Sequence, residues 1–330
     1  MSDVKIKVIH WDRGPVHDPE PFAYRQGYVF TCDPGCRDYD WLVVYDELGR
    51  RYEDLTCPRE QTILATCEPV SIKSYSRHYT SQFGHLLTNR PESSERHPHY
   101  HLGRGYYRWF NDRTYPENAT AVLPSKTKTI STVCSSKRMR HTRHFDRFEL
   151  IAALSRGIPE LDWYGHGVRG FGLKHEVMDP YKYHVVAENH VAPHHWTEKL
   201  SDAFLCECLP FYAGAPDLAD DFPPESFIPI PLDDPRAALE IVRAAIAGGE
   251  YERRRPAILE AKRLILRKYN FWEQVIGVIE SSPKSVVSAA AGGRIYARKE
   301  LRKICPGAAF EDAWAHVRKA VGCLLPSHLV

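Results

Sequence analysis

The sequence predicts an α/β protein. Short apolar, β-branched runs alternate with stretches whose apolar residues recur at helical spacing, and the polar chemistry gathers where the strands stop. In the N-terminal half, Lys5–His10, Trp41–Tyr45, Gln61–Thr66 and His85–Thr88 read as strands. Ser74–Phe83 reads as a helix of poor propensity, because Tyr, Ser and Thr dominate it. From Asp112 to Lys128 the chain turns polar and irregular around Pro116 and Pro124, which places a domain junction there. Next come a strand at Thr129–Ser135 and a helix at Arg143–Ser155, with Phe145, Phe148, Ile151 and Leu154 expected on its core face. Strands follow at Leu161–Tyr164, Tyr183–Ala187 and Leu209–Tyr212. They lead to an alanine-rich helix at Pro235–Ala247 and a basic amphipathic helix at Arg254–Tyr269. The tail carries Phe310, Ala313, Val317, Val321 and Leu324 at helical spacing. The expected division is residues 1–122, residues 123–282 and a helical tail, residues 283–330.

Composition bounds the function. A chain of 330 residues with 43% hydrophobic content can bury two cores, and a net charge of +2 gives no footprint for a nucleic-acid partner. No apolar run approaches the roughly 18 to 20 residues that span a bilayer, and the N-terminus has no signal-peptide core, so a cytoplasmic protein is expected. The nine cysteines are an odd number without a secretion signal, and reduced thiols are the default. His97, His99 and His101 alternate around Pro98, a pattern of an exposed loop rather than a metal site. Asp38-Tyr39-Asp40 has the form of a metal-binding Asp-x-Asp, but it stands at the start of a strand. The tail is a candidate for peripheral contact with a membrane surface or a partner, because Arg294, Arg298, Lys299, Arg302 and Lys303 precede its apolar stripe. Packing on the body is the alternative.

The most informative stretch is Tyr181–Lys199. Glu188 and Asn189 stand at the carboxyl end of a strand, the edge where open α/β sheets bind their ligands. Thr197 is placed to cap the next helix, which puts Glu198 and Lys199 in its first turn. A phosphate there would meet free backbone N–H groups and an ammonium. An ordinary strand-loop-helix with a solvated Glu-Lys pair fits the same residues. Upstream, Ile130–Ser135 reads as a strand, and the basic segment Lys137–Arg143 leads into a helix. Arg143 therefore sits near a helix N-terminus, and a solvated basic loop or an RNA-binding patch fits the same basic residues.

Ala187-Glu188-Asn189-His190, Thr197-Glu198-Lys199, Leu209–Tyr212 leading to Gly214, and Ser226-Phe227-Ile228 follow in an order and spacing that, over about fifty residues, strongly resemble glycosyltransferase family 10, the α-1,3/4-fucosyltransferases. The resemblance implies a GT-B fold, two Rossmann-like domains facing a cleft, with GDP-fucose bound by the second. It implies that Arg143 and Lys199 bind the diphosphate, and that Asn189 and Glu198 contact the donor sugar and ribose region, with Glu188 also among the donor-binding residues. His195 falls where the family often carries a tyrosine near the donor, and His190 replaces the usual serine. These departures leave another GDP-linked deoxysugar open as the donor. A non-catalytic carbohydrate-binding or scaffold protein is the other alternative.

An inverting transferase needs a base for the acceptor hydroxyl. The family places a glutamate in a Glu-Ser-Pro type motif after an N-terminal strand. Here the match is Glu68 in Thr66-Cys67-Glu68-Pro69, with proline one residue early, and a capping or loop glutamate at a strand end is the alternative. No cofactor and no essential metal are implied. The implied partners are a GDP-sugar donor and an oligosaccharide or lipid-linked glycan acceptor, with an α-1,3-type linkage in bacterial surface polysaccharide or lipopolysaccharide synthesis.

Overall fold

The computed structural model describes residues 3–10, 22–104, 109, 111–138, 142–282 and 292–322. Met139, Arg140 and His141 of the basic segment, and Leu324 of the tail stripe, lie outside the described residues. In chain order the strands are β1 (Val4–His10), β2 (Phe22–Arg25), β3 (Tyr28–Thr31), β4 (Trp41–Tyr45), β5 (Tyr52–Asp54), β6 (Thr62–Thr66), β7 (His85–Thr88), β8 (Tyr100–Leu102), β9 (Lys128–Val133), β10 (Leu161–Tyr164), β11 (Tyr181–Ala187), β12 (Leu209–Ala213), β13 (Ile228–Pro229) and β14 (Arg294–Tyr296). The helices are α1 (Arg77–Thr80), α2 (Glu92–Glu95), α3 (Tyr115–Thr120), α4 (His144–Gly157), α5 (Glu198–Leu205), α6 (Pro235–Ala247), α7 (Glu250–Arg267), α8 (Phe271–Ser281), α9 (Arg298–Ile304) and α10 (Pro306–Gly322).

Two compact units form. One joins Met1–Arg104 to Trp272–Val330, and the other is Gly105–Phe271. The boundary between them falls at Arg104/Gly105, where 122/123 was expected, and the tail belongs to the first unit. Asp112–Lys128 is tied to the second unit: Asp112 accepts the Lys174 N–H at 2.6 Å and Arg113 donates to Asp179 at 3.2 Å. Within it, the Thr114 backbone N–H donates to Glu117 Oε2 (2.7 Å) and the Glu117 N–H donates to Thr114 Oγ1 (3.3 Å), a capping box that starts α3. Beside it, the buried amides of Asn111 and Asn118 bond each other at 2.6 and 3.2 Å.

In the first unit the sheet order is β2-β3-β1-β4-β6-β7-β8. All neighbours pair in parallel except β2 with β3, a hairpin that sequence periodicity missed, turned at Gly27 with φ of 89°. Leu42, Val44, Leu64 and Leu86 are fully or almost fully buried, as parallel strands covered on both faces require. The C-terminal segment completes this core. β14 pairs with β5, and Ile295, Leu301 and Ala308 pack among Leu48, Leu55, Tyr79 and Phe83. The tail stripe is oriented differently from a packed face: Ala308 and Asp312 point inward, whereas Phe310, Trp314 and Val317 are 69%, 51% and 49% exposed. Asp312 takes the inward position because Arg302 and Arg298 reach its carboxylate. Among the described residues no helix is long and apolar enough to cross a membrane.

The second unit has the order β10-β9-β11-β12-β13, parallel throughout. Val185, Phe211, Leu200, Phe204, Ile258 and Ile265 lie at its centre. Helix α4 forms where expected but is rotated: its buried residues are His144, Arg147, Leu150, Ile151 and Leu154, while Phe145 and Phe148 are half-buried. Phe148 instead packs on Trp163 with ring centroids 5.4 Å apart. The rotation puts a charged residue, Arg147, on the core face.

Candidate active site

At the end of β11 the chain turns sharply, with the Glu188 N–H donating to Ala213 O on the neighbouring strand. The Glu188 side chain is fully enclosed. It accepts the Thr197 N–H (3.0 Å), the Thr197 hydroxyl (2.9 Å) and the Lys199 ammonium (3.3 Å). Thr197 is the N-cap of α5, as the sequence indicates, and its hydroxyl oxygen also accepts from Lys199 Nζ at 3.0 Å. Lys199 reaches Glu198 as well, at 3.1 Å. Glu188, expected among the donor-binding residues, is instead fully buried and is the strut beneath the site, while Glu198 and Lys199, 20% and 22% exposed, form its rim.

Charge follows this geometry. Burial pushes the Glu188 carboxyl above the usual carboxylate range, with Lys199 opposing the shift. For Glu198 burial works upward too, but the charges of Lys199 and Lys174 overcome it and hold the group low. Lys199 is desolvated, yet Glu188 and Glu198 hold its ammonium above the ordinary lysine value. Close approach tightens the corner: a Cβ on Gly214 would lie 2.3 Å from the Tyr212 hydroxyl and 2.8 Å from Glu188 Cγ.

Asn189 faces the head of α4. Its carbonyl accepts the Arg143 N–H at 3.1 Å, and its side-chain Oδ1 accepts from the Arg147 guanidinium. Arg143 occupies the N-cap position without a side-chain cap, half-exposed, its Nε 2.5 Å from Asp146 Oδ2. Arg147, one turn on, is 6% exposed and was missed by the sequence reading. The signal for it was an arginine in helical phase with Leu150, Ile151 and Leu154. A water-sized cavity of about 10 Å³ lies here, lined by Thr132, Cys134, Arg147, Lys174 and Lys199 among others. Lys174 is tied to the buried Asp202 at 2.5 Å. His195 is buried, its ring edge-on to His190 at 5.1 Å. The loop before it is pinned by His194, whose N–H donates to both Asp217 carboxylate oxygens at 2.9 and 3.0 Å.

In the first unit, Glu68 stands just past the carboxyl end of β6, half-buried. Its carbonyl is gripped by Arg90, whose Nε and NH2 donate at 3.2 and 2.7 Å. The same guanidinium reaches Lys73 O (2.6 Å) and the buried Glu95 (3.1 Å). Thr66 and Thr88 lock the ends of β6 and β7 by a 2.7 Å bond between hydroxyls. Asp46 and Glu47, past the end of β4, hold the Lys73 ammonium at 2.7 and 2.8 Å. This polar set around Glu68 was also missed, since its members come from three separate strand ends. Asp40 and Asp38 are engaged elsewhere: Asp40 accepts the Lys5 N–H at 2.8 Å, and Asp38 meets the Lys5 ammonium. His85 Nδ1 lies 3.1 Å from His101 Nε2, and among the described residues no group of three His, Cys, Asp or Glu is arranged to hold a metal.

No family model matches the chain. A curated α-(1,3)-fucosyltransferase of Helicobacter pylori is 31% identical over 84 residues, a match spanning 26% of this chain and only 17% of that protein. A crystal structure of an α1,3-fucosyltransferase with GDP-fucose superposes with a TM-score of 0.53 at 14% identity, over 87% of this chain and 92% of that one. The chain has the fold of an α1,3-fucosyltransferase. A second such structure, with GDP, gives a TM-score of 0.50 at 15% identity over 82% and 93% of the two chains. The α/β expectation is met by this fold, and the partial sequence match agrees with the resemblance read from the sequence.

Proposed function

We propose that this chain is an inverting fucosyltransferase that moves L-fucose from GDP-fucose to a hydroxyl of a glycan acceptor, with an α-1,3-type linkage, in bacterial surface polysaccharide or lipopolysaccharide synthesis. The observation that carries the reading is the braced ammonium of Lys199 at the capped start of α5, with Asn189 and the arginine-headed α4 beside it at the carboxyl edge of one parallel sheet. In this reading Arg143 and Lys199 bind the diphosphate, Glu198 and Asn189 contact the ribose and sugar, and His195 walls the donor pocket.

Chemistry then proceeds by direct displacement. Glu68 removes the proton from the acceptor hydroxyl while that oxygen bonds to C1 of fucose, and the bond from C1 to the diphosphate oxygen breaks on the opposite face. GDP leaves with the electron pair, and the side-chain cations neutralise the charge that grows on it, so no cofactor or essential metal is assigned. The His190–His195 pair favours one second reading, another GDP-linked deoxysugar, because this wall is where the sequence departs from the family pattern. The outward Phe310, Trp314 and Val317 support peripheral membrane contact.

Calorimetric titration with GDP-fucose, GDP-mannose and UDP-glucose, with and without EDTA, tests the donor assignment. Binding of GDP-fucose that survives EDTA is expected, and no preference for a guanine nucleotide would overturn it. Glu68→Gln should lower transfer by a hundredfold or more while leaving GDP-fucose affinity unchanged, since general-base catalysis contributes roughly 10²–10⁴. Transfer at the native rate in that variant would remove Glu68 from the mechanism.

A further inference from the structure

We propose that Arg147 is a positioning residue that fixes the hydrogen-bond polarity of Asn189, so that Asn189 presents its amide N–H pair, and not its carbonyl oxygen, to the donor sugar. The inference rests on the donor-site reading above and adds a residue and a direction to it. A guanidinium can only donate, whereas a side-chain amide has one donating and one accepting end. Because the Arg147 guanidinium meets the Asn189 side chain, the oxygen Oδ1 must be the end that faces it. The reversed amide would set N–H against N–H inside an enclosed site, with Arg147 only 6% exposed.

Two neighbours reinforce the choice. Lys199 is positively charged and close enough for Arg147 to act on its ionisation, so the guanidinium sits beside a like charge and needs an acceptor. Asn189 cannot slide away, because its carbonyl is held by the Arg143 N–H at 3.1 Å. One helix start thus clamps both the main chain and the side chain of the same asparagine, and Nδ2 is left as the end that can face a ligand. An oxygen of the sugar is what such a pair of donors recognises.

The test exchanges the two ends independently. Asn189→Asp keeps an acceptor for Arg147 but turns the ligand-facing end into a carboxylate oxygen. This variant should stay folded, with a melting temperature near that of the wild type, and bind GDP-fucose roughly tenfold or more weakly, with a smaller loss for GDP. Arg147→Met, which removes the donor and frees the amide to turn, should weaken GDP-fucose several-fold, and Arg147→Lys should restore most of it. Native GDP-fucose affinity in Asn189→Asp would overturn the assignment. So would equal losses for GDP and GDP-fucose in the folded variants, the mark of a merely structural role. Should Arg147→Met fail to fold, the aspartate variant still decides. If the wild-type protein binds no GDP-fucose, the donor-site reading fails first and this inference falls with it.

Discussion

Glu188 shows how one enclosed carboxylate shapes a site it never lines. It spends its oxygens on the Thr197 N–H, the Thr197 hydroxyl and the Lys199 ammonium. Glu188→Gln removes the buried negative charge and leaves Lys199 with one carboxylate, Glu198, beside the Thr197 hydroxyl, so a loss of about 1–3 kcal/mol is expected by urea denaturation. Gly214→Ala should act through the same residue, since its new methyl would meet both Glu188 Cγ and the Tyr212 hydroxyl. A lowered melting temperature together with weaker GDP binding is the expected result, and a native titration would show that the corner can relax. Glu188, Asn189, Thr197, Glu198 and Lys199 were legible because they are consecutive on one strand-loop-helix, where position alone sets the chemistry. Arg147 was not, because its role depends on which way α4 turns, and phenylalanines at 145 and 148 suggested the wrong face.

At the level of elements, strands were legible wherever both faces are covered, as in Thr62–Thr66, whose residues are all buried. The hairpin of β2 and β3, two four-residue strands at one side of the sheet, was missed although Tyr28-Val29-Phe30 is a β-prone run. The loop between β6 and α1 depends on a residue from another loop: Arg90 bonds the carbonyls of Glu68 and Lys73 and pairs with Glu95. Both charges of that pair are buried, so Arg90→Ala would strand a carboxylate and two carbonyls. A cost of about 3–5 kcal/mol is expected, with part of it recovered in the double variant that also carries Glu95→Ala. Chemical denaturation of the three variants checks this, and a cost below 1 kcal/mol would show that Glu68 is positioned without the arginine.

On the scale of the whole molecule, each unit hides a neutral histidine. Burial, then the neighbouring His101 and His99, pushes His85 down to about 4, and burial, then Lys174 and Lys126, pushes His184 down to about 3. Below the ordinary histidine value near 6.5 the unfolded chain takes up protons that the folded chain refuses. Stability is therefore complete above that pH and is lost as pH falls toward 4 in the first unit and toward 3 in the second. The His85 share is on the order of 3 kcal/mol. Thermal melts between pH 7.5 and 4.5 should show a falling melting temperature, and His85→Gln should flatten that slope; an unchanged slope would assign the acid sensitivity elsewhere. The discontinuous first unit sets a schedule on the ribosome. Its core lacks Ile295, Leu301 and Ala308 until the last part of the chain has emerged, whereas Gly105–Phe271 is contiguous. The middle of the polypeptide is thus free to reach its native state before the beginning does, and the earliest strands must wait, unfinished, for residues translated roughly 250 or more codons after them.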